Sequence, residues 1–312
     1  QLWALTIGGR DRLIQAAEQL GIPVERTGSL ALAVDDDEAD TLWESAQLLR
    51  EDGFDASFSL TDPLDRGFHG ALRRPGDVIV DARALTRALL IAEDVVTHQR
   101  TEVYALEPAG DEIRIWAHGR TVLCSAVVLA VGGYAALAHP YLAAAVAPVR
   151  GHVFAVETGD QAAHSQPCTF AQGKGFVRSA GDGPVLIGGW SEPDSEHRGF
   201  SGDPLEALAS SHFPDVVGTS AGHRSETAGF SPDGVPILGT LPGLPRAYFA
   251  AGFGGRGLSW AFVAAERLVD ALLNDAELGL LLSVDRFEEG GSRIQRRGDS
   301  VIAGGGDGLG GR

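Results

Sequence analysis

The sequence predicts a mixed α/β fold (α+β) with two interleaved domains, one built on strands that end in glycine turns and the other on a long antiparallel sheet. Three observations carry this reading. Ala247 to Ala251 is a short apolar run followed by Gly252-Phe253-Gly254-Gly255-Arg256-Gly257-Leu258 and a helical pattern from about Leu258 to Leu273. Val122 to Val131 is a near-continuous apolar run ending in Gly132-Gly133, as expected of a buried strand that emerges beside a ligand. Pro148 to Glu157 and Val185 to Trp190 read as long strands of a second, antiparallel sheet. With 44% hydrophobic and 21% charged residues over 312 positions, the chain has enough apolar side chains for two cores.

The remaining elements follow in order. Leu2 to Leu20 places apolar residues at helical spacing, and Gly21-Ile22-Pro23 stops it. A strand is expected at Ser29 to Val34. Asp35-Asp36-Asp37-Glu38 then opens a helix through Arg50 that ends at Gly53. Consecutive carboxylates at a helix start serve as caps and dipole partners, so no metal is assigned to them. Asp81 to Ala92 reads as a helix. Glu102 to Leu106 and Glu112 to Ala117 alternate as a hairpin, with Pro108-Ala109-Gly110-Asp111 as its turn.

The formal charge of -17 disfavours nucleic acid and anionic membrane surfaces as partners, because such a field repels phosphate at long range. Cys124 and Cys168 are too few and too far apart for a metal or disulfide framework, which points to a reducing compartment, the cytoplasm. No apolar run is long enough to span a bilayer.

The segment Phe230-Ser231-Pro232-Asp233-Gly234-Val235-Pro236-Ile237-Leu238-Gly239, with Ala250-Ala251-Gly252-Phe253-Gly254-Gly255-Arg256-Gly257-Leu258 after it, resembles the close of the FAD-dependent D-amino-acid oxidase superfamily. Glycine, sarcosine and γ-glutamylputrescine oxidases belong to that superfamily. Further matches in order are Arg26-Thr27-Gly28-Ser29-Leu30, Val80 to Leu85, Val127 to Gly133, Pro148 to His152 and Leu186 to Gly189. The resemblance covers about Leu2 to Phe287. It implies a Rossmann-like FAD-binding domain of residues 76–146 and 228–287, interleaved with a substrate domain of residues 1–75 and 147–227 whose sheet floors the flavin. Part of the N-terminal helix is allowed to pack on the cofactor domain.

Family members begin with a strand, a G-x-G-x-x-G turn and a helix. Neither that unit nor any methionine stands in this sequence, so the reading is of a chain lacking a first βαβ unit of roughly 30 residues. Gly306, Gly308 and Gly311 match the same spacing at the far end. No helix can follow them before Arg312, so residues 288–312 are expected to be a disordered tail.

Glycines at such turns let a ligand approach the backbone, and the helix start after them favours negative charge. By resemblance, Gly132, Gly133, Asp233, Gly252, Gly254, Gly255, Gly257 and Leu258 bind FAD, and Arg256 stabilises charge near the flavin pyrimidine. Many relatives carry histidine at the place of Arg256. His152, Trp190, Phe230 and Trp260 are candidates for the substrate side, with packed histidine and core tryptophans as the plainer reading. Glycine and D-amino-acid oxidases place a carboxylate-gripping arginine five residues before the Asp-Gly pair, where this chain has Ala228; its nearest arginine is Arg224. Sarcosine-oxidase relatives use a lysine where this chain has Ser259.

The expected function is therefore oxidation of a C–N bond of a small-molecule amine or amino acid by hydride transfer to FAD. The alternatives are a flavin-dependent tRNA-modifying oxidoreductase, which the acidic charge counts against, and a truncated chain that holds no flavin.

Overall fold

The computed structural model describes residues 1–157, 166–179, 183–190, 204–216, 220–289, 296–297 and 300–301. The elements run α1 (Leu2–Gln19), β1 (Val24–Glu25), β2 (Ser29–Ala33), α2 (Asp36–Glu51), β3 (Ser57–Ser59), β4 (Gly70–Arg74), β5 (Ile79–Val80) and α3 (Ala82–Ala92). Next come β6 (Val103–Ala109), β7 (Glu112–Ala117), β8 (Arg120–Cys124), β9 (Val127–Leu129), α4 (Ala135–Ala138), α5 (Pro140–Ala145) and β10 (Ala147–Val156). They are followed by β11 (Cys168–Phe170), β12 (Gly175–Ser179), β13 (Val185–Trp190), α6 (Pro204–His212), β14 (Ser220–Phe230), β15 (Ile237–Leu241) and β16 (Leu244–Ala251). The last are α7 (Gly257–Asn274), α8 (Arg286–Glu289), β17 (Arg296–Arg297) and β18 (Ser300–Val301).

Two compact units share the chain: residues 1–16, 86–149 and 227–312 form one, and residues 17–85 and 150–226 the other. Two of the boundaries fall inside β10 and β14.

In the unit that contains α7, the strand order is β15–β16–β9, antiparallel and then parallel. The alternation of β16 explains its place. Ala247, Phe249 and Ala251 face a core with Ile237, Leu129, Leu142 and Val146, while Tyr248 and Ala250 face Leu238 and the α7 residues Trp260, Val263, Ala264 and Leu268. Leu5 of α1 packs on this second core. A Cβ on Gly9 would stand 2.7 Å from Cγ2 of Val263 and 3.1 Å from the carbonyl of Ser259, so glycine is what lets α1 lie this close to α7.

Two expectations need correction here. Val122 to Val131 is not one buried strand, because β8 ends at Cys124 in the β6–β7–β8 sheet and β9 begins at Val127 in another. The break at Ser125-Ala126 is fixed by the Ser125 carbonyl, which accepts from Nε of Arg246 at 2.7 Å, and Val122 and Leu123 are exposed. The hairpin turn is also shorter than expected. Pro108 and Ala109 pair with Ile113 and Glu112, which leaves Gly110, at φ +69, and Asp111 as the turn.

The other unit holds the sheet β14–β10–β13–β12–β11–β2–β4–β3, whose β11–β2 pairing is parallel. Ala71 and Leu72 are neighbours on β4 and therefore point to opposite faces, the first to a core with Phe170, Ile187 and Phe213, the second to a core with Ala46 of α2. The acidic run at the start of α2 is structural. Asp35 accepts from the Glu38 N–H at 2.8 Å, and buried Glu38 accepts from the N–H groups of Val34 at 3.0 Å and Gln172 at 2.6 Å.

Of residues 288–312, only 288–289, at the end of α8, and the pair β17–β18 are described. The glycine-rich Gly304 to Gly311 segment lies outside the described residues. Among the described residues no helix is long and apolar enough to cross a membrane, and no group of three or more His, Cys, Asp or Glu is placed to hold a metal ion.

Candidate functional site

Because β9 and β16 are parallel neighbours, with Ala247, Tyr248 and Phe249 opposite Val127, Val128 and Leu129, their following loops leave the sheet at the same edge. Such an edge is where open α/β sheets place ligands. The loop after β9 turns at Gly132 (φ +55), and the loop after β16 turns at Gly252 (φ +73) and Gly254 (φ +52) into a 3₁₀ turn, Gly254–Arg256. Helix α7 begins there, and its N-cap position, Arg256, makes no side-chain cap bond. The first N–H groups of an 18-residue helix thus lack a capping side chain, at the end that favours negative charge.

The glycines answer to different demands. At Gly132 a Cβ would meet nothing within 4 Å, so this turn opens onto space. At Gly133 it would stand 2.3 Å from the Thr227 carbonyl oxygen, at Gly252 2.9 Å from Cβ of Ser231, and at Gly254 3.0 Å from the ring of Phe230. Packing therefore accounts for Gly133, Gly252 and Gly254. Gly257 is unstrained as the first residue of α7, and Gly255 is exposed in the turn before it. Leu258 is 45% exposed in the first turn of the helix.

Phe230 pairs with Phe253 as an isolated antiparallel bridge, which ties the end of β14 to the turn after β16. Asp233, a cofactor candidate in the sequence, is engaged within the protein. Its Oδ1 accepts from the Val235 N–H at 3.0 Å and from NH2 of Arg286 at 2.9 Å, and its Oδ2 accepts from Nε of Arg286 at 2.8 Å. Burial pushes its carboxyl upward, but the Arg286 and Val235 bonds outweigh this and hold it below the usual range. Sequence reasoning missed Arg286, which stands outside every motif.

Arg256 is exposed, and no carboxylate pairs with it among the described residues. Its NH1 lies 3.9 Å from where a Cβ on Gly234 would stand, so the guanidinium reaches back over the Asp-Gly turn. Trp260 is 5% exposed and packs with Leu238, Tyr248 and Val263, which makes it a core residue rather than part of the open edge.

In the other unit, His152 is 2% exposed, and its Nδ1 lies 3.0 Å from Nε2 of His223, with the two rings stacked. Phe154 stacks on His223 in turn. Trp190 sits opposite Gly151, where a Cβ would come 2.5 Å from its ring, so the glycine makes room for the indole. Arg224 is exposed on β14. Cys168 is buried, and burial raises its thiol to about 12. Neither cysteine forms a disulfide.

The edge fits a flavin nucleotide by its own chemistry. An uncapped helix start, an open positive-φ glycine and an arginine with no carboxylate partner among the described residues offer N–H donors and positive charge to an electron-rich, anionic group. A second concavity in the same unit is lined by Tyr141, Tyr248, Asp275 and Glu277 at the far end of α7. Carboxylates and a helix C-terminus there repel such a group.

The family model described as DAO, FAD dependent oxidoreductase, matches residues 1–271. The tRNA 5-methylaminomethyl-2-thiouridine biosynthesis bifunctional protein MnmC of Burkholderia multivorans is 31% identical over an alignment covering 65% of this chain and 36% of that protein. The chain thus spans about a third of the length of that curated relative. Among solved structures, glycine oxidase from Geobacillus kaustophilus superposes with a TM-score of 0.75 at 23% identity, covering 88% of this chain and 79% of that one. L-proline dehydrogenase from P. horikoshii gives 0.74 at 19% identity, covering 92% and 83%. At these identities the two structures speak for the fold.

Proposed function

Because the chain belongs to the DAO family of FAD-dependent oxidoreductases, we propose that it oxidises a carbon–nitrogen bond of an amine or amino acid at the shared edge of β9 and β16. The observation that supports this reading most is the uncapped start of α7, beside an arginine that no carboxylate neutralises among the described residues. FAD, when bound, accepts a hydride from the carbon next to the substrate nitrogen, and the imine that results is hydrolysed.

The chain's own residues supply position and charge. Gly132 and the first N–H groups of α7 would hold the group by backbone, with Leu258 covering an apolar face. The Arg256 guanidinium favours negative charge arriving at the helix start. Ala228 and Ser259, where relatives carry an arginine or a lysine for the substrate carboxylate, favour an amine without a gripped α-carboxylate over a small α-amino acid. Titrating the FAD-loaded protein anaerobically with primary and secondary amines and with glycine tests the reading. Bleaching by amines supports it, and bleaching by glycine alone overturns the substrate assignment.

One observation favours a second reading, an alkylamine carried on a tRNA base. The curated relative is named for the biosynthesis of 5-methylaminomethyl-2-thiouridine in tRNA, and that substituent contains the required C–N bond. Against it stands the charge of -17.

A further inference from the structure

We propose that Arg286 is a positioning residue for the cofactor edge, acting through Asp233. A guanidinium has five N–H donors, and Arg286 uses all five. Nε donates to Oδ2 of Asp233 at 2.8 Å, and NH2 donates to Oδ1 of Asp233 at 2.9 Å and to the Val235 carbonyl at 2.7 Å. NH1 donates to the carbonyls of Pro236 at 3.2 Å and Ser283 at 3.0 Å. The side chain is 13% exposed and stands 4.4 Å over the ring of Phe287. The Leu238 N–H bonds the Leu282 carbonyl at 2.7 Å, and Leu238 bridges Ser283, so the segment bearing Arg286 is itself fixed to β15.

The clasp has reach because the loop it grips is wedged against the turn that starts α7. Ser231 lies under Gly252, Phe230 lies against Gly254 and bridges Phe253, and Gly234 faces the guanidinium of Arg256. A planar fork that fixes Ser231 to Pro236 thereby fixes where the first N–H groups of α7 and Arg256 stand. Lysine cannot replace it, since one ammonium cannot reach acceptors spread over three carbonyls and both carboxylate oxygens.

This inference rests on the proposed flavin edge for its consequence but not for its test. The variants Arg286→Lys, Asp233→Asn and Arg286→Ala are compared with the parent by amide hydrogen exchange and by titration of the full chain with FAD. The two conservative variants stand in if Arg286→Ala does not fold. Expected is faster exchange at 231–236 and, with it, at 253–260, together with a rise of about tenfold to a hundredfold in the FAD dissociation constant for all variants. A double variant, Asp233→Asn with Arg286→Lys, should cost no more than either change alone. Faster exchange confined to 231–236, or an unchanged dissociation constant with a lower melting temperature, overturns the positioning role and leaves Arg286 a stabiliser of its own loop. Failure of the parent to bind FAD overturns the proposed function instead, and the exchange comparison still decides the role of Arg286.

Discussion

Gly132 and Gly133 are consecutive, yet one opens onto space and the other is pressed against the backbone of Thr227. Only the first leaves room for a ligand, and the pair of letters cannot say which is which. Arg256 is legible in the same partial way. Its place beside three glycines marks it, while its freedom from any carboxylate partner among the described residues is visible only in the structure. Replacing Arg256 by alanine is expected to slow flavin reduction by roughly tenfold to a thousandfold, the range seen when one preorganised donor is removed from developing negative charge. Rapid mixing with substrate measures it, and Arg224→Ala, at an exposed strand position, should stay within about twofold of the parent. Asp233 behaves differently again. Its folded-state carboxyl lies below the ordinary 3.8, so the clasp contributes fully above that value and is lost as the pH falls through the depressed one. Melting curves of the parent and Asp233→Asn should therefore differ by a constant amount from neutrality to about pH 4 and converge below it. A gap that persists unchanged to pH 2 would show that the carboxylate charge is not what the clasp uses.

The elements read most clearly where a periodic pattern meets a cap. α2 begins one residue after Asp35, and α1, α3 and α7 fall within a residue or two of their expected ends. Apolar content alone misled. Val122 to Val131 reads as one strand because both halves are apolar, but sheet membership is decided by partners. Arg246 and the β7 strand pull the two halves apart, and neither is signalled locally. Arg286 was illegible for a related reason, since it and Asp233 are 53 residues apart. Helix packing yields its own test. Gly9 faces Val263 and the Ser259 carbonyl at distances that leave no room for a methyl group, so Gly9→Ala should destabilise the protein by about 1–3 kcal/mol despite its better helix propensity. Chemical denaturation measures this, with Gly8→Ala as the control, since a Cβ at Gly8 meets only the tip of Arg12. Equal stability of the two variants would mean that α1 shifts freely on α7.

At the scale of the molecule, 42 acidic and 25 basic residues give the charge of -17, a property no single site reveals. That field bears on the two substrate readings more directly than the fold does, because the fold is shared with proteins named for glycine and proline and the sequence is similar to one named for tRNA. Binding to tRNA depends on neutralising phosphates, and each neutralised phosphate steepens the fall of affinity with salt. A chain with this excess of carboxylates should show no saturable tRNA binding at about 0.15 M salt, and any weak binding at low salt should vanish steeply on the way there. A soluble amine, in contrast, is drawn by the same field, and its apparent affinity should weaken only modestly over that range. The experiment is one salt series with two partners, tRNA followed by filter binding and an amine followed by flavin bleaching. Saturable tRNA binding that survives 0.15 M salt would show that a local basic surface overrides the net charge, and the tRNA-borne alkylamine would then become the better reading.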